Sequence, residues 1–205
     1  MFFNSVILSR TNKPLDIVKI KTDPTKDRQV LVKILFSGFC SSQYGEVIGI
    51  KGKDNYLPHC LGHEACGRII EIGPKVKNLN KGDLVVLHWM KNKEKDCSKI
   101  FYKTKKNKII NSGMITTFNE YAKVSSNRVT KVKTKKINLK YLPFLGCSIS
   151  VAFSTLEKIL KIKKNKNILI LGSGALGLPM IHYSKIFKLK NIEILDINKI
   201  ALMKA

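Results

Sequence analysis

The sequence predicts a mixed β and α/β fold, in which a β-rich domain is followed by one β–α–β unit of a parallel sheet. In the first two thirds of the chain, short β-branched and aliphatic runs are separated by Gly and Pro, and few helical patterns occur. Farther on, residues 167–171 and 192–196 are apolar runs on either side of a turn and helical stretch over 172–189. We therefore predict two domains, 1–148 and 149–205.

Three strands and one long loop are predicted within the first domain. Residues 30–36 form a β-branched run that ends at a turn, residues 69–72 precede a Gly-Pro turn, and residues 84–87 follow a Lys-Gly-Asp turn. The stretch 91–108 is polar and rich in lysine, and we expect it to be a surface loop. After this loop, we expect ordered structure again at residues 118–122.

The formal net charge of +24 would by itself suggest a nucleic acid or a membrane surface as a partner. The lysines, however, are spread along the whole chain, whereas arginine, whose planar fork reads bases and phosphates, is rare. The arginines are Arg10, Arg28, Arg68 and Arg128. Because Lys, Asn and Ile are over-represented together, we attribute the charge to a general composition bias and expect no nucleic-acid partner.

Composition also limits the cellular setting. No apolar run approaches the roughly 20 residues that a membrane span needs, and the first residues lack the basic and apolar segments of a signal peptide. We expect no membrane partner and a cytoplasmic location. In such a setting the five irregularly spaced cysteines favour metal ligation or simple burial over a disulfide framework.

A glycine fingerprint lies between the two apolar runs of the second domain. In the sequence Gly-Ser-Gly-Ala-Leu-Gly, Gly172 permits a tight turn, Gly174 lets the backbone approach a pyrophosphate, and Gly177 lets helix and strand pack closely. Asp196 ends the next strand, where a carboxylate binds ribose hydroxyls and repels a 2′-phosphate, so NAD is favoured over NADP. The alternative is a glycine-rich turn in an unrelated α/β domain. The predicted cofactor contacts are Gly172, Gly174, Ala175, Leu176, Gly177 and Asp196.

Two groups of residues could each bind a metal. Cys40, His63 and Cys147 together supply two thiolates and an imidazole, a three-ligand set that suits a catalytic zinc with an open fourth position. Each residue also has an ordinary explanation as a buried group, and their distances along the chain do not show that they converge. The competing group is local and would form a closed structural site. Its members are His59, Cys60, His63, Glu64 and Cys66.

Seven stretches of the sequence match one known family in the same order and cover nearly the whole chain. They are residues 38–42, 61–67, 71–76, 82–85, 118–121, 146–147 and 172–177. Through them the chain resembles the zinc-containing alcohol dehydrogenases of the medium-chain dehydrogenase/reductase family. The resemblance implies a chaperonin-10-like β-barrel as the catalytic domain, followed here by the first β–α–β unit of an incomplete Rossmann domain.

The resemblance also implies roles for individual residues. Cys40, His63 and Cys147 would hold the catalytic zinc, and Glu64 would lie beside the metal and ligate it transiently. Ser42 matches the family's Ser or Thr that hydrogen-bonds the substrate oxygen and passes on its proton. Trp89 falls where relatives place a large residue that lines the substrate pocket, with core packing as the alternative.

Three departures from the family's pattern change these expectations. Gln43 replaces the acid that supports the zinc-bound histidine, and an amide raises ligand basicity less than a carboxylate does. Gly45 replaces a histidine of the proton relay, so the relay is shorter, runs through water or uses Glu46. Of the four cysteines of the family's structural zinc site only Cys97 remains, so we expect no structural zinc.

The sequence therefore predicts a zinc-dependent oxidoreductase that transfers a hydride between an alcohol or polyol and NAD. The substrate would be a small alcohol, aldehyde or polyol, and a homo-oligomer is compatible with the family. Because the chain contains only the first unit of the coenzyme domain, we also consider a non-catalytic fragment or relic that binds zinc and the adenosine half of NAD. A zinc-free quinone-reductase relative is a third alternative, although such relatives normally lack this ligand set.

Overall fold

The computed structural model describes residues 1–133 and 136–205. They form two compact units, Met1–Gly146 and Cys147–Ala205. The sequence-based boundary after residue 148 lies close to this division.

The first unit consists mainly of strands joined by short turns. Its helix α1 is Ser41–Val47, and two 3-10 segments are Ser126–Arg128 and Leu139–Gly146. The strands are β1 (Phe2–Leu8), β2 (Asp16–Lys21), β3 (Gln29–Ser37), β4 (His59–Cys60), β5 (Ala65–Ile72), β6 (Leu84–Leu87), β7 (Phe101–Thr104), β8 (Ile109–Asn111), β9 (Tyr121–Ser125) and β10 (Val129–Lys131).

These strands form a closed barrel and an adjoining sheet. The barrel order is β1-β2-β7-β8-β4, and the five-stranded sheet has the order β10-β6-β5-β3-β9. Neighbours are antiparallel except for the parallel pair β4 and β8. The β-barrel that the family resemblance implied for the first domain is confirmed.

β-branched residues form the core of the five-stranded sheet, as their preference for a pleated, packed surface predicts. Val30 and Val32 on β3, Val85 on β6 and Val124 on β9 are completely buried in one cluster. The predicted strands 30–36, 69–72 and 84–87 correspond to β3, the end of β5 and β6. The sequence pattern therefore located three of the five strands of this sheet, but it did not predict β9 or β10 as strands, and it did not locate the barrel strands β1, β2 and β8.

The expectation of a surface loop over 91–108 is wrong in part. Residues Phe101–Thr104 form β7, which pairs with both β2 and β8 and so completes the barrel. Tyr102 and Ile100 are buried in the barrel core together with Cys97. The surrounding lysines give this segment the composition of a surface loop. In the folded protein, burial of a few large side chains outweighs that polar character, and the segment forms a strand.

The second unit is a β–α–β unit with additional helices, as predicted. Strands β11 (Asn167–Leu171) and β12 (Asn191–Leu195) pair in parallel, and α3 (Gly177–Ile186) connects them. Helix α2 (Ser148–Ser154) continues as a π-helical segment, Thr155–Ile159, and α4 (Lys199–Met203) follows β12. Aromatic contacts join α2 and α3, since the rings of Phe153 and Tyr183 lie 4.9 Å apart.

Part of this unit's apolar surface is exposed. Leu169, Leu171 and Leu195 on the two strands are 54%, 76% and 58% exposed. An apolar sheet surface of this kind marks a place where further protein or another molecule packs.

No single helix among the described residues has the length and composition of a membrane span. One bent pair, Leu139–Gly146 with Ser148–Ile159, meets the criterion on length and composition alone. Leu142, Ala152 and Leu156 of that pair are buried inside the protein.

The burial of β7 leads to a stability prediction for Tyr102→Phe. The Tyr102 hydroxyl accepts a hydrogen bond of 2.8 Å from the Lys123 backbone N–H. Removing it leaves a buried donor without its acceptor, so we expect the free energy of unfolding to fall by about 1–3 kcal/mol. Urea unfolding can be followed by the fluorescence of Trp89, which lies in the same unit. Tyr56→Phe is the control, because Tyr56 is 73% exposed, and equal effects of the two substitutions would contradict the burial of β7.

Candidate functional site

The three predicted zinc ligands are placed by three separate turns. Cys40 follows β3 and is the N-cap residue of α1, with an extended backbone. His63 lies in the short connection between β4 and β5. Cys147 directly follows the 3-10 segment that ends at Gly146, and it is the N-cap residue of α2.

The structure brings these three side chains together. The candidate ligand atoms of Cys40, His63 and Cys147 all lie within 4.8 Å of one another. Both cysteines are half-buried and His63 is buried. Burial lowers the pKa of His63 below its usual value, and a neutral imidazole is the form that coordinates a metal. Two thiols and an imidazole at this spacing are a donor set that suits zinc.

Backbone contacts between two turns bring Cys40 close to His63. The Gly38 N–H donates to the Glu64 carbonyl oxygen at 3.0 Å, and the Ser37 hydroxyl donates to the same oxygen at 3.1 Å. A methyl group on Gly38 would lie 2.5 Å from a carboxylate oxygen of Glu64. The absence of a side chain at Gly38 therefore lets the two turns approach each other.

Cys147 is positioned through the residue that precedes it. The Gly146 carbonyl oxygen accepts a hydrogen bond of 3.3 Å from the Trp89 N–H. A side chain at Gly146 would lie 2.2 Å from the Leu87 carbonyl oxygen, so only glycine allows the backbone to pass this close. The next peptide bond then places Cys147 at the ligand cluster.

Glu64 is adjacent to the cluster but is not part of it. Its side chain is 2% exposed and packs against Gly38, and the group of converging ligand atoms consists of Cys40, His63 and Cys147. A metal-ligating role of Glu64 therefore stays a prediction.

The members of the competing local group have other partners. Cys60 Sγ lies 3.4 Å from the Ser5 hydroxyl, and Cys66 Sγ donates to the Leu139 carbonyl oxygen at 3.3 Å. His59 Nε2 lies 2.8 Å from Asp54 Oδ2. The local density of Cys and His along the sequence therefore does not correspond to a shared ligand cluster.

Two further predicted site residues are exposed near these ligands. Ser42 lies in the first turn of α1, two residues after Cys40. Trp89 is 60% exposed, which excludes the alternative that it packs in the core. The ring centres of Trp89 and His63 lie 5.9 Å apart in an edge-on arrangement. The Arg128 guanidinium also contacts Trp89 and lies 5.7 Å from the centre of its ring. Trp89 therefore forms part of the wall beside His63.

The residues that depart from the family's pattern form a polar chain. Gln43 is 6% exposed, and its Nε2 donates to Glu46 Oε2 at 3.1 Å. The other Glu46 oxygen lies 4.0 Å from His59 Nε2. Burial opposes ionisation of Asp54, but hydrogen bonds from the Tyr56 N–H and from His59 outweigh it and lower the pKa of that carboxyl. Sequence reasoning considered Glu46 but missed its link to the pair of His59 and Asp54.

The glycine fingerprint of the second unit has the geometry that its spacing predicts. Gly172 has a positive φ of 97°, and a side chain at Gly177 would lie 1.8 Å from the Gly172 carbonyl oxygen. Space is open above Gly174, where no heavy atom lies within 4 Å of an added methyl group. The Asp196 carboxylate directly follows β12 and accepts hydrogen bonds from Ser173, a residue that sequence reasoning did not single out.

The environments of the cysteines predict which of them react with iodoacetamide. Burial raises the pKa of Cys60 to about 12, and burial also raises the pKa of Cys66 and Cys97. At pH 8 only about one Cys60 in ten thousand is a thiolate, which is the reactive form. We expect alkylation of the half-buried Cys40 and Cys147 first, as mapped by peptide mass spectrometry of the folded protein after a chelator has removed any metal that would protect them. Modification of Cys60 at a similar rate would contradict the structure, and urea-unfolded protein is the control in which all five cysteines react.

Comparison with known proteins agrees with this description. A family model described as the alcohol dehydrogenase GroES-like domain matches residues 26–134, more than half of the chain. Alcohol dehydrogenase-like 3 of Arabidopsis thaliana is 26% identical over 201 residues, covering 82% of this chain and 51% of the relative. An S-(hydroxymethyl)glutathione dehydrogenase of Escherichia coli is 23% identical, covering 91% of this chain and 56% of that protein.

A solved structure shares the fold. The alcohol dehydrogenase zinc-binding domain protein from Burkholderia ambifaria superposes with a TM-score of 0.90 at 21% identity, covering 100% of this chain and 61% of that one. The chain thus spans about half the length of the curated relatives that it matches. From the matched domain, the ordered motifs and the shared fold, we conclude that this chain belongs to the alcohol dehydrogenase GroES-like family of the medium-chain dehydrogenase/reductase type.

Proposed function

We propose that this chain supplies the zinc site and part of the coenzyme site of an oxidoreductase that transfers a hydride between an alcohol or polyol and NAD. The observation that carries the proposal is the convergence of Cys40, His63 and Cys147 within 4.8 Å. Two thiolates and one imidazole leave a fourth tetrahedral position for a substrate, as in catalytic rather than structural zinc sites. Family membership supports the same chemistry.

The residues around this cluster have distinct parts in the proposed reaction. When bound, zinc would act as a Lewis acid toward the substrate oxygen. Ser42 Oγ would take the proton of the substrate hydroxyl while its own hydroxyl proton passes to solvent water, since it is exposed and two residues from a proposed ligand. Trp89 would line the substrate side of His63, where its large apolar ring limits the access of water. Glu64 would act from beside the metal.

The second unit would bind the coenzyme. Gly174 offers open space for close approach of a pyrophosphate, and backbone N–H groups at the start of α3, including those of Ala175 and Leu176, favour its negative charge. Asp196 would accept hydrogen bonds from ribose and repel a 2′-phosphate, which favours NAD. The cytoplasmic location, the homo-oligomer and the absence of a structural zinc stay predictions from the sequence.

A second candidate function is a non-catalytic protein that binds zinc and the adenosine half of NAD. The open space at Gly174 supports its adenosine half of the coenzyme site, and the convergence of Cys40, His63 and Cys147 supports its zinc site. The two candidate functions differ in whether the protein catalyses hydride transfer, but both predict that it binds zinc.

The proposed ligand set predicts about one zinc ion per chain, measured by plasma mass spectrometry after removal of loosely bound metal. We expect Cys40→Ala and His63→Ala to lose most of this zinc, because two remaining ligands do not hold a tetrahedral site. Cys97→Ala is the matched control, since Cys97 lies in the barrel core. Equal zinc loss in the control, or zinc retention in both ligand variants, would contradict the assignment. Circular dichroism of each variant tests whether the fold is kept.

The proposed proton transfer predicts unequal effects of two adjacent serines. With NAD and a panel of primary, secondary and polyhydric alcohols, we expect Ser42→Ala to lower kcat about a hundredfold or more. Ser41→Ala is the control, because Ser41 is also exposed and lies on the same helix. Formation of NADH is followed by absorbance. A zinc-loaded chain that gives no NADH with any alcohol would favour the non-catalytic candidate.

A further inference from the structure

The Asp196 carboxylate is held by three donors from this chain. Oδ2 accepts hydrogen bonds from the Ser173 N–H at 2.6 Å and from the Ser173 hydroxyl at 2.8 Å. Oδ1 accepts one from the Asn198 N–H at 2.7 Å. Each carboxylate oxygen is therefore anchored, and the carboxylate cannot rotate about its last side-chain bond without breaking a hydrogen bond.

The backbone on either side of these donors is itself hydrogen-bonded. The Gly172 N–H donates to the Leu195 carbonyl oxygen at 2.7 Å, which extends the pairing of β11 and β12 by one residue toward Ser173. On the other side, the Asn198 side chain caps α4 by accepting hydrogen bonds from the N–H groups of Ile200 and Ala201 at 3.0 and 3.1 Å. Hydrogen bonds therefore connect the glycine-rich loop, the carboxylate and the start of α4.

The hydrogen bonds leave the two carboxylate oxygens unequal. An ionised carboxylate has about four lone-pair positions, two on each oxygen. Oδ2 already accepts two donors and Oδ1 accepts one, so an acceptor position remains on Oδ1. Ser173 is 1% exposed, whereas Asp196 is half-buried. The serine thus holds the carboxylate from the protein side and leaves it accessible to a ligand.

These donors also favour the charged carboxylate. The backbone hydrogen bond from Ser173 is the main cause that lowers the pKa of Asp196, followed by those from the Asn198 backbone and the Ser173 hydroxyl. A charge that is fixed in place repels a ligand phosphate more effectively than one that can swing away.

We propose that Ser173 is a positioning residue for coenzyme selection: it binds Asp196 Oδ2, leaves Oδ1 to accept a ribose hydroxyl, and keeps the carboxylate where it excludes a 2′-phosphate. This inference rests on the proposed coenzyme-binding function of the second unit. Its alternative is that Ser173 only satisfies its own buried hydroxyl and stabilises the loop. In that case its removal would weaken the binding of all adenine nucleotides equally.

The test uses the full chain and two probes, ADP-ribose and 2′-phospho-ADP-ribose, whose affinities are measured by calorimetry. We expect Ser173→Ala to weaken ADP-ribose binding about tenfold, the size typical of one lost hydrogen bond to a charged group. The phosphorylated probe should bind at least as well as before, because its repulsion by the carboxylate is relieved. Discrimination between the probes would then fall by at least the same factor. Ser184→Ala is the matched control. Ser184 is fully buried in α3 of the same unit, and its hydroxyl has no hydrogen-bond partner among the described residues.

A second measurement does not depend on nucleotide. Carbon-13 NMR titration of the ligand-free protein should show a higher Asp196 pKa in Ser173→Ala than in the wild type or in Ser184→Ala. An equal loss of affinity for both probes, or an Asp196 titration that Ser173→Ala does not change, would overturn the positioning role alone. If the wild-type chain bound neither probe, the proposed coenzyme-binding function would fail, and this inference would fail with it.

Discussion

The contact between Gly38 and Glu64 is the constraint on which the metal cluster depends. One backbone hydrogen bond of 3.0 Å joins the turn after β3 to the turn before β5. Cys40 and His63 lie at opposite ends of this contact, so their separation is set by backbone rather than by flexible side chains. Gly146 makes a comparable approach to Leu87 and delivers Cys147. Rigid backbone at all three ligands favours a preorganised metal site, which loses little entropy when an ion binds.

The polar residues around the cluster form a different support from the one that the family's pattern implies. Gln43 is buried and is bound to Glu46, and Glu46 in turn lies beside His59 and Asp54. A negative charge that relatives place directly next to the histidine ligand is thus displaced by one residue farther along a hydrogen-bonded chain. The electrostatic effect of this negative charge on the histidine ligand then acts over a greater distance, and it weakens with that distance. The Gln43 amide itself carries no charge and donates a hydrogen bond to Glu46.

Several features of the fold and the candidate site were predictable from the sequence, because short-range spacing determines them. The strand–turn–helix–strand pattern around Gly172 and Gly177 follows from the apolar runs and from the glycines, which stand where the turn or the close packing of the backbone leaves no place for a side chain. Three strands of the five-stranded sheet, namely β3, the end of β5 and β6, were recognisable from β-branched and aliphatic runs. The strand at Phe101–Thr104 was not, because lysines surround it and only barrel closure buries Tyr102.

The sequence by itself determined which residue types were available: two thiols, an imidazole, a glycine-rich loop and an acid after the second strand. Tertiary structure decided which of them meet. It separated His59, Cys60 and Cys66 from His63 although they are neighbours along the chain, and it brought in Cys40 and Cys147 from a distance. The physical reason is that strand pairing and close backbone contacts, which act between remote segments, set the direction of every side chain. Local order along a chain contains too little information about those contacts to fix a site.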